Sequence, residues 1–248
     1  VEERFGLKLA IHQPEFMPWT GFFAKMARAD AYVVLDHVQF KKRYFENRNR
    51  IVSAGGKVGW VGVPVISKGA FDQAINQVRI DNSQPWQRKL LGTIAHTYAK
   101  APCFQPYFDE LQAIVTARPF ERLVDLNLEL IGFFRRHLGI ATPMAFSSTM
   151  ALNGHKGSDL ILEICRQHHA RQYLCGASGK DYLVAADFQR AGVAIAWLNY
   201  RPAAYRQLGA PFVAGMSALD LLFNHGKASA AVVMAASVNK ETTCTSWA

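Results

Sequence analysis

One stretch limits the folds open to this chain more than any other. It is Leu7 to Ile51, LKLAIHQPEFMPWTGFFAKMARADAYVVLDHVQFKKRYFENRNRI. Leu7, Leu9 and Ile11 alternate with polar or small residues, the two-residue period of a strand. His12-Gln13-Pro14 ends that strand, and Pro18-Trp19-Thr20-Gly21 prolongs the loop. Phe22, Phe23, Met26 and Ala27 recur at helical spacing, with Lys25 and Arg28 on the opposite side. Ala31 to Leu35 is a continuous apolar run, as expected of a strand buried on both faces and parallel to the first. Strand, helix and parallel strand in this order put a ligand at the carboxyl ends of the strands. Those ends are His12-Gln13 and Asp36-His37-Val38-Gln39, so both loops are expected to open on one crevice. The polar, basic segment after them reads as a loop to Ile51.

The remainder repeats the theme. Val58 to Val65 is rich in β-formers and reads as a strand or hairpin arm, and Gln77 to Asp81 as a short strand. Helices are expected from Pro85 to about Ala99, from Tyr107 to Ala117, and from Phe120 to Leu138 with Gly139 as its cap. Residues 143–150 read as a strand entering a polar turn. Ser158 reads as the N-cap of a helix over 159–169, followed by strand 172–176, helix 183–191 and strand 193–198. Ser217 to His225 is a helix closed by Gly226. The expected fold class is therefore α/β, a doubly wound and mainly parallel sheet. Residues 1–51 and 143–238 form its core, residues 52–142 a mixed β and helical insertion, and residues 239–248 a polar tail expected to be frayed.

Composition narrows the partners. The 248 residues are 50% hydrophobic and carry a net charge of +9, yet no apolar run reaches membrane-spanning length. Four widely spaced cysteines (Cys103, Cys165, Cys175, Cys244), without a C-x-x-C pair, argue against a disulfide framework and a Cys-rich zinc site. No secretion signal is legible, and a reduced, cytoplasmic protein is expected. The positive charge concentrates at Lys41, Lys42, Arg43, Arg48 and Arg50, against Glu46, and is otherwise scattered. That distribution fits an anionic small molecule better than nucleic acid.

The candidate site residues come from the two loops. His12 and His37, at strand ends, can donate to phosphate or exchange a proton near neutral pH. Parallel neighbours ~4.8 Å apart can bring them together. Asp36 can orient His12, hold a ribose hydroxyl or magnesium, or simply cap a turn. Arg43, Asn47, Arg48, Asn49 and Arg50 combine guanidinium forks with neutral amide donors, suited to phosphate or carboxylate. Trp19 can stack a base or sugar ring, or pack in the core. Gln13 lies beside His12, and Lys180 can touch phosphate or pair with Asp181. The remaining histidines suggest no metal site.

Across most of its length the chain resembles the WbqC-like family. The matching residues are His12-Gln13-Pro14, Pro18-Trp19-x-Gly21-Phe22, Leu35-Asp36-His37-Val38-Gln39-Phe40 and Asn47-Arg48-Asn49-Arg50-Ile51. Later come Tyr98-x-Lys100-Ala101-Pro102, Tyr173-Leu174-x-Gly176, Lys180-x-Tyr182, Tyr205-x-Gln207 and Ser217-x-x-Asp220-Leu221-Leu222. The resemblance implies a gene set among those for surface polysaccharides and specialised metabolites. The layout is also similar to the HxGH nucleotidyltransferases of the pantothenate synthetase type. That likeness implies ATP with Mg2+ as cofactor, Gln39 against an acyl or amine substrate, and Lys180 against phosphate. Trp19 and Phe22 stand where the two histidines of that motif would be, so His12, Lys25 or Arg48 with Arg50 would have to supply the lost charge. Three readings follow: ATP-dependent acyl activation and amide formation on an amine such as an amino sugar; acyl or aminoacyl transfer from a pre-activated donor; and a non-catalytic scaffold. The oligomeric state is not legible.

Overall fold

The computed structural model describes residues 6–235 apart from 68, 70, 71 and 210; the tail at 239–248 lies outside the described residues. Five strands form one sheet: β1 (Lys8–His12), β2 (Ala31–Val34), β5 (Met144–Phe146), β6 (Gln172–Gly176) and β7 (Ala194–Leu198). Their order is β5-β2-β1-β6-β7, and every neighbouring pair is parallel. The doubly wound α/β sheet expected from the sequence is present. Alternate residues feed opposite faces. Leu9, Ile11, Val33, Tyr173 and Ile195 pack with α5 (Gly157–Gln167) and Phe188 of α6 (Ala185–Arg190). Ala10, Tyr32, Val34, Leu174 and Ala196 pack in a larger cluster with α1 (Thr20–Ala27). Burial on both faces explains the unbroken apolar runs of the strands.

The second layer of that larger cluster comes from α2 (Trp86–Tyr98), α3 (Phe104–Thr116), α4 (Leu123–His137), α7 (Ala218–His225) and α8 (Ser229–Ala235). Helix α1 packs against α8, and α3 against α2, α4 and α7. This explains a departure from expectation. Lys25 reads as lying on the polar side of α1, yet Thr20 to Met26 are all buried.

Further corrections concern polar or proline-bearing segments. The basic loop ends in a strand, β3 (Arg48–Val52), paired antiparallel with β4 (Val58–Gly62). Asn49 and Ile51 face inward and Arg48 and Arg50 lie on the other side, an alternation that charge obscured. Residues 77–81 make single bridges, Val65 to Ile80 and Arg79 to Arg122, instead of a strand. Helix α3 begins at Phe104, ahead of Pro106, because a first-turn proline forfeits no helical bond. Helix α4 begins at Leu123, not Phe120. Ser158 lies inside α5, and its hydroxyl accepts the Val184 amide at 2.9 Å instead of capping.

Two structural devices fix the loops. Asn127 on α4, fully buried, donates its side-chain amide to Pro14 O at 2.9 Å and Glu46 O at 2.8 Å. The Phe16 amide donates to Phe45 O at 2.9 Å, and Asn49 Nδ2 to Phe16 O at 3.1 Å. The loops after β1 and β2 are thus locked together. Gly21 serves the same region, because a Cβ there would run into the Trp19 indole. Gly21→Ala is expected to cost about 2 kcal/mol by overpacking and to displace that indole, which thermal unfolding and the Trp19 indole NMR resonance would register.

Candidate functional site

Strands β1 and β6 pair only as far as Ala10 with Leu174. Beyond that, β1 continues with β2 to His12, and β6 continues with β7 to Gly176. The sheet parts at its switch point, where ligands enter doubly wound folds. A cleft of about 730 Å3 opens there, lined by both loops, the first turns of α5 and the Gly176–Tyr182 turn.

The parting strands leave the Ile11 carbonyl without its sheet partner. Lys25 reaches from α1 to fill that need, donating from Nζ at 2.7 Å. Burial lowers its pKa to about 8, while Cys175 and Glu15 pull it upward. Glu15 is 7% exposed and borders the cleft. Burial first, then the Glu46 carboxyl, raises its pKa to about 8, with Lys25 opposing. Its Oε2 has no hydrogen-bond partner among the described residues. Glu46 is 1% exposed and both its carboxyl oxygens are unpartnered. Burial raises it to about 7 against its own backbone amide and Lys41.

His12 lies on the cleft wall, edge-on to Phe22 with ring centroids 5.1 Å apart. Its Nδ1 is 3.0 Å from Gln13 O, which assigns the proton to Nδ1 and leaves the Nε2 lone pair free. Nε2 stands 3.9 Å from Glu15 Oε1. Although 31% of the side chain meets solvent inside the cleft, surrounding protein and then the Lys25 ammonium hold the imidazole far below its usual pKa. It is neutral throughout the physiological range.

These shifts set a pH profile for stability. The raised Glu15 and Glu46 favour the folded state at low pH, and that contribution is lost as pH rises from about 4.5 through about 7 and 8. The depressed His12 contributes in the opposite sense below 6.5, and Lys25 does so from about 8 to 10.5. Stability is therefore expected to fall between about pH 5 and 8, most steeply near 7. Glu46→Gln should flatten that fall and add on the order of 3 kcal/mol at pH 8, read from urea midpoints at pH 5, 6.5 and 8.

The expected site residues divide into three groups. Gln13 and Trp19 line the cleft with His12. Asp36 and His37 are tied instead to the turn after β5. Asp36 accepts from Ser147 Oγ at 3.0 Å and from the Ser148 amide and hydroxyl at 2.9 and 2.7 Å. His37 Nδ1 bonds Ser147 Oγ at 2.6 Å, and its pKa is lowered mainly by burial. Hydrogen bonding thus takes His12 to Gln13 and His37 to Ser147, not to one another. Gln39 is exposed and donates to Asp72 at 3.1 Å. Arg43 is exposed at a positive φ of 60°.

The third group sits on the hairpin. Asn47 Nδ2 donates to Val63 O at 3.1 Å, and Asn49 is fully buried as a loop tie. Arg48 stacks on Trp60, and Arg50 lies against Gly215. None of these four borders the cleft, which takes Lys41 and Tyr44 from the basic segment. Lys180 is exposed over Trp197 at 5.6 Å, with Asp181 facing the cleft.

Glu15 was missed by reading the sequence, and Glu46 entered only as a charge to subtract. One signal was present: Glu15 is the lone acid in the apolar loop Pro14-Glu15-Phe16-Met17-Pro18. Among the described residues no group of three or more His, Cys, Asp or Glu is disposed around a metal, and no helix is long and apolar enough to cross a membrane.

Comparison with known proteins agrees with the sequence resemblance. The chain is 33% identical over 220 residues to the uncharacterized protein Rv1507c of Mycobacterium tuberculosis, covering 88% of this chain and 94% of that protein. No solved structure matches. Residues 13–232 match the description "WbqC-like protein family", and with that span and that identity the chain belongs to this family.

Proposed function

We propose that the switch-point cleft binds a nucleotide-linked or otherwise pre-activated donor and transfers its acyl or aminoacyl group to an amine, such as that of an amino sugar. The observation that carries this reading is Glu15, a buried carboxyl with an unpartnered oxygen, within reach of Lys25 and His12. An incoming ammonium supplies the missing donor. Its charge draws Glu15 into the ionised form, the carboxyl proton passing to solvent through the cleft, and the carboxylate then takes a proton from the nitrogen. The freed lone pair attacks the donor carbonyl, forming the C–N bond. The Lys25 ammonium offsets charge on the carbonyl oxygen, a stabilisation often large in acyl transfer. As the bond to the leaving group breaks, that group takes the proton from Glu15, and the Glu15 carboxylate then accepts the second proton of the nitrogen, leaving a neutral amide and a protonated Glu15 as at the start. His12 Nε2, neutral and accepting, holds a second N–H of the amine. Trp19 and Tyr200, edge-on at 5.4 Å, offer ring surface to the donor's base or sugar.

The ATP-dependent version has one observation in its favour. Trp19, Gly21 and Phe22, aligned with the H-x-G-H segment, all border the cleft. Those two rings bring no charge to a transferring phosphate, however, and Arg48 and Arg50 lie elsewhere. Asp36 is engaged by Ser147 and Ser148 away from the cleft, and no group of three or more His, Cys, Asp or Glu among the described residues is disposed around a metal, so no step is routed through a protein-held Mg2+.

A thermal-shift panel separates the two. Acetyl-coenzyme A or UDP-glucose at about 100 times its dissociation constant should add roughly 2.7 kcal/mol. A shift with ATP and Mg2+ alone would overturn transfer from a pre-activated donor. Silence across the panel would favour a scaffold.

A further inference from the structure

The β3–β4 hairpin carries a second groove that the transfer chemistry does not use. It measures about 340 Å3 and is lined by Arg48, Trp60, Lys89, Gln84 and the Val61–Pro64 edge. The Arg48 guanidinium lies flat over the Trp60 ring, 4.2 Å from its centroid. Trp60 is 47% exposed, unusual for a large aromatic residue with no covering element. The Arg48 guanidinium makes no hydrogen bond or ion pair among the described residues, and its Nε is buried without a partner. Among the described residues no carboxylate lines the groove. Asp81, close by in sequence, is engaged by Ser83 and Gln84. The groove therefore presents two cations, one of them seated on an aromatic ring with its terminal guanidinium nitrogens unspent.

We infer that this groove is an anion subsite, in which Arg48, held on Trp60, and Lys89 receive a phosphate or carboxylate group. A guanidinium fixed by stacking has lost its rotamer freedom before binding, so its in-plane fork meets an oxyanion at little further entropic cost. The subsite connects with the cleft. Tyr44 borders the cleft, its ring is 5.1 Å from Phe45, and Phe45 is 6.0 Å from Trp60. A ligand lying along this aromatic row places its reacting end in the cleft and its anionic end on Arg48. The ligand class is thus bipartite, with a phosphate or a uronic-acid carboxylate remote from the reacting centre. The subsite itself stands whether or not the transfer reading holds.

The test uses the full chain, 15N-labelled at its indoles, titrated at constant ionic strength with inorganic phosphate and separately with glucuronate. The Trp60 indole resonance, assigned by Trp60→Phe, is expected to move and saturate with at least one probe. Phosphate alone identifies a phosphate source, and glucuronate alone a carboxylate source. Arg48→Met, whose side chain can still cover Trp60, should weaken that binding at least tenfold with the backbone spectrum otherwise preserved. Lys89→Gln, on the exposed side of α2, should weaken it severalfold and serves if Arg48→Met fails to fold. A Trp60 resonance indifferent to both probes, or binding that persists unchanged in the variants, overturns the subsite. Neither outcome depends on amide formation, so failure here and failure of the transfer reading are distinguishable.

Discussion

Glu15→Gln is expected to lower the rate of amide formation by about two to four orders of magnitude, the range for loss of a positioned proton acceptor. The amide keeps the size of the side chain and its hydrogen-bonding oxygen, so donor binding should persist. What it removes is the ability to take a proton from the acceptor ammonium. The same substitution should leave the folded chain more stable than wild type at alkaline pH. Glu15 is buried, its Oε2 is unpartnered, and Glu46 repels its charge. The folded state therefore holds the proton up to about pH 8, whereas the unfolded chain releases it near 4.5. Replacing the carboxyl removes a penalty that grows between those values. Loss of turnover with gain of stability is the signature of a functional group kept at structural cost. A Glu15 without a catalytic part would show the gain of stability and no loss of turnover.

Asp220→Ala should produce the largest stability loss, about 4 kcal/mol, because it strips the acceptor from a buried network. Asp220 is fully buried in the first turn of α7. Its Oδ2 accepts the Tyr205 hydroxyl at 2.6 Å and Gln207 Nε2 at 2.8 Å. Tyr98 also bonds this carboxylate, while its hydroxyl accepts the Val52 amide at 3.2 Å. Gln207 closes the 207–213 loop through both Val213 backbone groups. One carboxylate thus joins α2, the hairpin, the 205–213 segment and α7. Asp220→Asn keeps an acceptor oxygen and should lose less than half as much. Equilibrium urea unfolding of both variants measures the difference.

This network also shows where sequence reading stopped. Tyr205, Gln207 and Asp220 stood out only through resemblance to a family, because no local pattern joins residues from separate segments. The structure supplies their physical reason, a shared buried acceptor. The sheet was legible for the opposite cause. Ala31 to Leu35 and Tyr173 to Cys175 are apolar runs, and burial on both faces requires just that. The hairpin was half legible: Val58 to Val65 reads as β, while Arg48 and Arg50 disguise the alternation of its partner strand. Charge misled in the same way over Lys25. Its burial follows from the parting of β1 and β6, which frees the Ile11 carbonyl that its ammonium fills, information that a single helix period does not carry. Asp36 and His37 were picked for their position at a strand end, but the partners that occupy them, Ser147 and Ser148, arrive more than a hundred residues later.

The proposed substrate site lies where β1 and β6 part, against Lys25. Calorimetric titration of the full chain with acetyl-coenzyme A and UDP-glucose, in wild type and in Lys25→Met, would locate it. At least one of them is expected to bind wild type, and to bind Lys25→Met at least tenfold more weakly while the far-ultraviolet spectrum stays native. Equal affinity in the two proteins would put the substrate elsewhere.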